Sequence, residues 1–160
     1  MPYIIGGGQE GGLRSGTENI IGIAAFGAAA EEGFAEFSAN VGKMTALRDL
    51  CCEKLTSTEA RVNLPKGARA PHIVSVTLPS IKSETMLNFL SGKGICVSAG
   101  SACSSHSRNI SSALVGFGLK SEEADTTIRV SVGKYNTEED ILALCEALNE
   151  GISSLVRIKR

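Results

Sequence analysis

The stretch TIRVSVGKYNTEEDI, residues 127–141, changes its hydrophobic period half-way along, and that change decides the fold class. Ile128, Val130 and Val132 alternate with Thr127, Arg129 and Ser131, the period-two pattern of a strand with one face buried. Thr137 stands three residues before Asp140; this is the spacing of a capping box, in which a hydroxyl and a carboxylate satisfy each other's backbone N–H groups. Beyond it Ile141, Cys145, Leu148, Ile152 and Leu155 recur at steps of three and four, the apolar stripe of a helix that packs on a core. A strand thus feeds a helix through a short polar connection, and the last element of the chain is helical.

Working back towards the N-terminus, the pattern is of short alternating elements. Residues 61–64 and 72–78 read as strands, the second bounded by Pro71 and Pro79 with Val74, Val76 and Leu78 on one face. A helix from Ser83 to about Leu90 is stopped by Gly92 and Gly94. Residues 95–97 read as a short strand, residues 98–107 as a run of small polar residues, and residues 111–115 as a short helix ending at Gly116 or Gly118. Helices and strands mix without strict βαβ repetition, so the expected class is α+β with a mixed sheet.

Residues 18–55 carry a single unbroken phase: Ile23, Phe26, Ala30, Phe34, Phe37, Val41, Met44, Leu47, Cys51 and Leu55. One helix explains this, capped by Thr17 or Ser15 with Glu18 in its first turn. At 1.5 Å per residue it would reach roughly 55–60 Å, more than the width of a compact domain of this size, so it is expected to bridge two bodies. Gly27, Gly33 and Gly42 weaken it, by about 1 kcal/mol each, with a kink at Gly42 as the alternative. Before it, residues 6–16 hold six glycines and read as a loop or irregular hairpin. The expected division is an arm at 1–17, the long helix at 18–56 and a small α+β domain at 57–160.

Composition narrows the class. With 160 residues, 16 Lys and Arg against 17 Asp and Glu, and aromatics at 4%, there is no basic excess for nucleic acid and no stacking platform. No apolar run is long enough to span a bilayer. Five cysteines, without a CxxC pair, suit neither a disulfide framework nor a metal site and fit reduced thiols in the cytoplasm.

Three places could carry chemistry. Cys103 lies in Ser-Ala-Gly-Ser-Ala-Cys-Ser-Ser, where no neighbour is large enough to bury it; it is either an accessible, reactive thiol or a small residue in a surface loop. Arg129 is a lone guanidinium on the polar face of its strand, either a two-point clamp for a carboxylate or a solvated side chain. The glycine arm with Arg14 and Thr17 either binds an anion beside a helix start or serves as a linker. His72 reads as structural; His106, three residues after Cys103, is a solvated loop residue or a proton carrier for that thiol.

GGGQEGGLRSGTEN at 6–19, SAGSACSS at 98–105 and TIRVSVGKYNTEEDI at 127–141, in this order, resemble the C-terminal part of the NifS/IscS-type cysteine desulfurases, pyridoxal-phosphate enzymes of the class V aminotransferase fold. The resemblance covers essentially the whole chain. It implies that Cys103 attacks the sulfur of L-cysteine and holds it as a persulfide, and that Arg129 pairs with the substrate carboxylate. It also implies that Thr17 is extended by one subunit of a homodimer to the pyridoxal 5'-phosphate of the other, and that the sulfur passes to an acceptor protein of iron–sulfur or thiolation pathways. The family's Schiff-base lysine has no match here, since none of the lysines stands in a Ser-x-His-Lys-type context. The chain by itself is therefore expected to be inactive. The Ser107-Arg-Asn-Ile segment and Lys134, where the family often has arginine, depart from the pattern and leave the acceptor open. A selenocysteine lyase or another class V enzyme, and a non-catalytic dimerisation or partner-binding module, are the rival expectations.

Overall fold

A computed structural model describes residues 1–65, 67–99 and 112–158. Two compact units are present, residues 1–38 and 39–160.

In the first unit the glycine arm folds back on itself. Tyr3 N–H donates to the Leu13 carbonyl (2.7 Å) and Ser15 N–H to the Ile4 carbonyl (3.1 Å), around a 3-10 turn at Glu10–Gly12. Gly11 and Gly12 have φ of 63° and 78°, a region that residues with a Cβ enter at a cost. Ser15 is buried and its hydroxyl accepts from Gly8 N–H (3.3 Å). The long helix, α1, runs without interruption over Ile20–Leu55. Its cap is Asn19, whose side-chain oxygen accepts from Gly22 N–H at 3.0 Å, rather than Thr17 or Ser15: Ser15 is committed inside the arm, and asparagine is as good a cap as serine. Gly42 makes no break.

The second unit holds a four-stranded sheet of β1 (Arg61–Asn63), β2 (Ile73–Thr77), β3 (Ser98–Ala99) and β4 (Thr127–Ser131), in the order β1-β2-β4-β3. The class is α+β as expected, but all three pairings are antiparallel rather than mixed. The third strand also falls later than the expected 95–97. Ile95 N–H closes the preceding turn on the Leu90 carbonyl (3.0 Å), so pairing begins only at Ser98.

One face of the sheet carries Val74, Val76, Ile128 and Val130, all buried. They share a single core with Met86 and Leu90 of α2 (Ser83–Ser91), with Ile141, Leu144, Leu148 and Ile152 of the final helix, and with Leu47, Cys51 and Leu55 of α1. Two short helices, α3 (Ser112–Gly116) and α4 (Ser121–Ala124), lie between β3 and β4, and the final helix, α5, spans Glu138–Ser154. Its capping box is complete: Thr137 Oγ1 accepts from Asp140 N–H (3.3 Å) while the Asp140 carboxylate accepts from Thr137 N–H (3.1 Å). The stripe of α1 is buried only from about Met44 onward; Phe26 and Phe34 are 78% and 80% exposed. Among the described residues no helix is long and apolar enough to cross a membrane.

Candidate active site on the open face of the sheet

The residues that alternate with the core positions form a polar rung across all four strands. Asn63 of β1 stands opposite Ser75 of β2, Ser75 opposite Arg129 of β4, and Arg129 opposite Ser98 of β3. Antiparallel partners in register point to the same side of a sheet, so these four side chains share one face. Asn63 Nδ2 donates to Ser75 Oγ (3.1 Å) and to Thr77 Oγ1 (2.9 Å), and the buried Thr77 and Thr127 hydroxyls hydrogen-bond each other at 2.8 Å. Arg129 Nη2 donates to Ser98 Oγ at 3.3 Å.

Arg129 is exposed, and among the described residues it meets no carboxylate. It lies at the wall of a cavity of about 490 Å³, whose lining includes Asn63, Arg69, Ser75, Leu114 and Phe117. None of the described lining residues is acidic. Such a wall, apolar with a few convergent cationic and polar groups, suits a small ligand bearing an anionic group. Arg48 also lines it but is engaged, donating to Asp49 (2.8 Å) and to the Ala70 carbonyl (3.2 Å).

Cys103 and His106 lie outside the described residues. The chain on either side of that segment is described. Ser98 and Ala99 pair with β4 beside Arg129, and Ala113 and Leu114 of α3 line the same cavity. Both flanks of the cysteine segment are therefore tied to Arg129's surroundings. The other thiols are placed differently. Cys51 and Cys145 are buried in the core; the hydrogen bond with Cys145, then burial, pushes the Cys51 thiol far up, so it stays protonated. Cys52 lines the cavity half-buried, its pKa raised first by burial and then by Asp49. Cys96 is exposed.

Thr17 lies in the first unit and is exposed, its carbonyl accepting from Arg14 Nη1 at 3.1 Å. His72 serves through its backbone, its carbonyl accepting from Val132 N–H at 2.9 Å. Strand alternation alone finds Arg129. It does not find Ser98, Asn63 or Arg69, because cross-strand register and loop placement are not written in local periodicity.

The aminotransferase class-V family model matches residues 6–144, and the chain belongs to that family. A cysteine desulfurase IscS from Archaeoglobus fulgidus is 42% identical over 149 residues, which is 92% of this chain and 39% of the relative. Among solved structures, a NifS-like protein superposes with a TM-score of 0.80 at 36% identity, over 96% of this chain and 39% of that one. A NifS-like protein from Rickettsia africae does so with a TM-score of 0.78 at 35% identity, over 97% and 40%. The chain thus spans about 40% of the length of the proteins it is similar to.

Class V aminotransferases carry pyridoxal phosphate, which is held through a lysine. Lys43 Nζ donates to the Lys134 carbonyl (2.7 Å), Lys93 pairs with Glu150 (2.9 Å), and no described lysine lines the cavity beside Arg129. Among the described residues, the cavity beside Arg129 therefore offers pyridoxal phosphate no lysine.

Proposed function

We propose that this chain is the C-terminal portion of a NifS/IscS-type cysteine desulfurase, acting on L-cysteine to yield alanine and a persulfide. The observation that supports it most is the juxtaposition on the open sheet face. An exposed guanidinium without a described carboxylate partner stands at a cavity; one flank of the Cys103 segment pairs with its strand and the other lines that cavity.

In this reading Arg129 takes the substrate carboxylate by two N–H groups and fixes the amino acid's orientation. The Cys103 thiolate attacks the sulfur of L-cysteine. An S–S bond forms, the substrate's Cβ–S bond breaks, and the electron pair left on carbon is taken up by a proton to give alanine. Pyridoxal phosphate, when bound, supplies the electron sink that makes this cleavage feasible. Its lysine would come from residues outside this chain, with Thr17 reaching the phosphate across a homodimer interface. An acceptor protein then collects the sulfur, in iron–sulfur cluster or thiolation pathways, in the cytoplasm. The arm at 1–17 would belong to the large domain and the helix at 18–56 would join it to the small domain at 57–160.

The test is alanine release from L-cysteine by the desulfurase that carries this chain, with Cys103→Ala and Arg129→Ala compared. Loss of alanine in Cys103→Ala and a raised KM in Arg129→Ala are expected; an undiminished rate without Cys103 would refute the reading. Selenocysteine as a parallel substrate separates a selenocysteine lyase from a desulfurase.

A further inference from the structure

We infer that Ser98 is a positioning residue for Arg129: it orients the guanidinium for the substrate carboxylate. This rests on the carboxylate-binding role proposed for Arg129, and deepens it.

The polar rung gives Arg129 a serine on each side, Ser75 on β2 and Ser98 on β3. The two are not equivalent. Ser75 is already the acceptor for Asn63 Nδ2 at 3.1 Å, within a network that continues through Thr77 and Thr127. Ser98 is the one that accepts from Arg129 Nη2, at 3.3 Å. The rung therefore turns Asn63 and Ser75 towards each other and Arg129 towards β3.

The chemistry of the partner matters. A carboxylate in place of Ser98 would neutralise the guanidinium and compete with the substrate. A neutral hydroxyl orients the fork and leaves the charge whole. Nη2 carries two protons; one goes to Ser98, and the other remains to form a two-point clamp with a neighbouring nitrogen. Arginine is long and rotamer-rich, and holding it in one geometry before the ligand arrives lowers the cost of binding. Ser98 also belongs to the last described strand before the segment that bears Cys103. The residue that aims the clamp is thus five positions from the proposed nucleophile.

The test uses the complete desulfurase, with Ser98→Ala, Ser98→Thr, Arg129→Ala and the Ser98→Ala/Arg129→Ala double variant. Ser98→Ala is expected to raise KM for L-cysteine about three- to tenfold with kcat within about twofold, a difference in binding rather than in chemistry. Ser98→Thr, which keeps the hydroxyl, returns KM to within about twofold of the parent. In the Arg129→Ala background, Ser98→Ala has no further effect on KM. An unchanged KM in Ser98→Ala, while Arg129→Ala raises it, overturns the inference and leaves the role of Arg129 standing. So does an equal loss in both backgrounds, which marks a general structural effect. If Arg129→Ala itself leaves KM unchanged, the role of Arg129 falls and the inference falls with it. Should Ser98→Thr lower the melting temperature, Ser98→Ala and the double variant still decide the matter.

Discussion

Gly151 of α5 meets Met86 of α2 so closely that a Cβ added to Gly151 would stand 2.8 Å from both the sulfur and the methyl carbon of Met86. Met86 is fully buried and Phe89 Cδ1 lies 3.1 Å from the same point. The two helices thus pack closely at this point, on the face of the sheet opposite the one that carries Arg129.

Gly151→Ala is accordingly expected to destabilise the protein, although alanine is the better helix former by about 1 kcal/mol. Overpacking of a filled core costs about 1–3 kcal/mol, so the net loss is about 0–2 kcal/mol. Urea unfolding of the two proteins checks it. A stabilised Gly151→Ala protein would show that Met86 moves aside freely.

The capping box at the start of α5 makes a second expectation. Thr137→Ala removes the acceptor for Asp140 N–H and should cost about 1 kcal/mol. Asp140 itself is held below its ordinary carboxylate value by the Asn136 amide first and the Thr137 N–H second. A carboxylate with a depressed folded pKa contributes stability that is present above its unfolded value, about 4, and is lost as pH falls through the lower folded value. Urea midpoints at pH 3, 4, 5 and 6 should therefore fall more steeply on the acid side for the parent than for Asp140→Asn. Equal slopes would exclude a contribution from this carboxylate.

What was legible in the sequence follows from how local each signal is. Thr127–Ser131 and the capping box at Thr137 and Asp140 are written within fifteen residues, and both stand in the structure. The cap of α1 fell on Asn19 because Ser15 was drawn into the arm by Gly8, a contact no periodicity announces. The third strand moved to Ser98–Ala99 because a turn hydrogen bond occupied Ile95. The four-residue α4 has no stripe to detect. At the site, alternation gave Arg129 its exposed face, whereas the Ser98 contact joins residues 31 apart and depends on register.

The stripe of α1 carries a further consequence. Ile20, Ile21, Ile23, Phe26, Phe34 and Phe37 are all exposed, and the Phe34 and Phe37 rings lie 6.4 Å apart. An apolar surface of this kind associates in water. The 160-residue chain is expected to self-associate at tens of micromolar concentration or above, and Phe26→Glu with Phe34→Glu to reduce that. Sedimentation velocity reads the outcome, and a parent chain that stays monomeric would refute it.

Thiol accessibility separates the four described cysteines of the second unit. Cys96 is exposed, Cys52 half-buried, and Cys51 and Cys145 buried within the core. With a thiol-reactive dye in the native protein, Cys96 should label first among these four and Cys52 more slowly, its thiolate disfavoured by burial and by Asp49. Cys51 and Cys145 should label only after unfolding. Peptide mapping assigns each site, and rapid native labelling of Cys51 would contradict the packing described.

Arg129 offers the most direct check on the proposed chemistry. It is exposed and lies off the core, so Arg129→Ala and Arg129→Lys should both leave the unfolding midpoint nearly unchanged. A charge-assisted hydrogen bond contributes about 1.5–3 kcal/mol, so loss of the proposed clamp in the proposed complete desulfurase should raise KM for L-cysteine by roughly 10- to 100-fold. Lysine keeps the charge but presents a point donor in place of a planar fork. If orientation rather than charge is what Arg129 supplies, Arg129→Lys recovers only a small part of the loss, and the Ser98 hydroxyl no longer affects KM in that background. Full recovery by lysine would mean that charge alone draws the substrate in, and that the alignment of the fork by β3 has no bearing on catalysis.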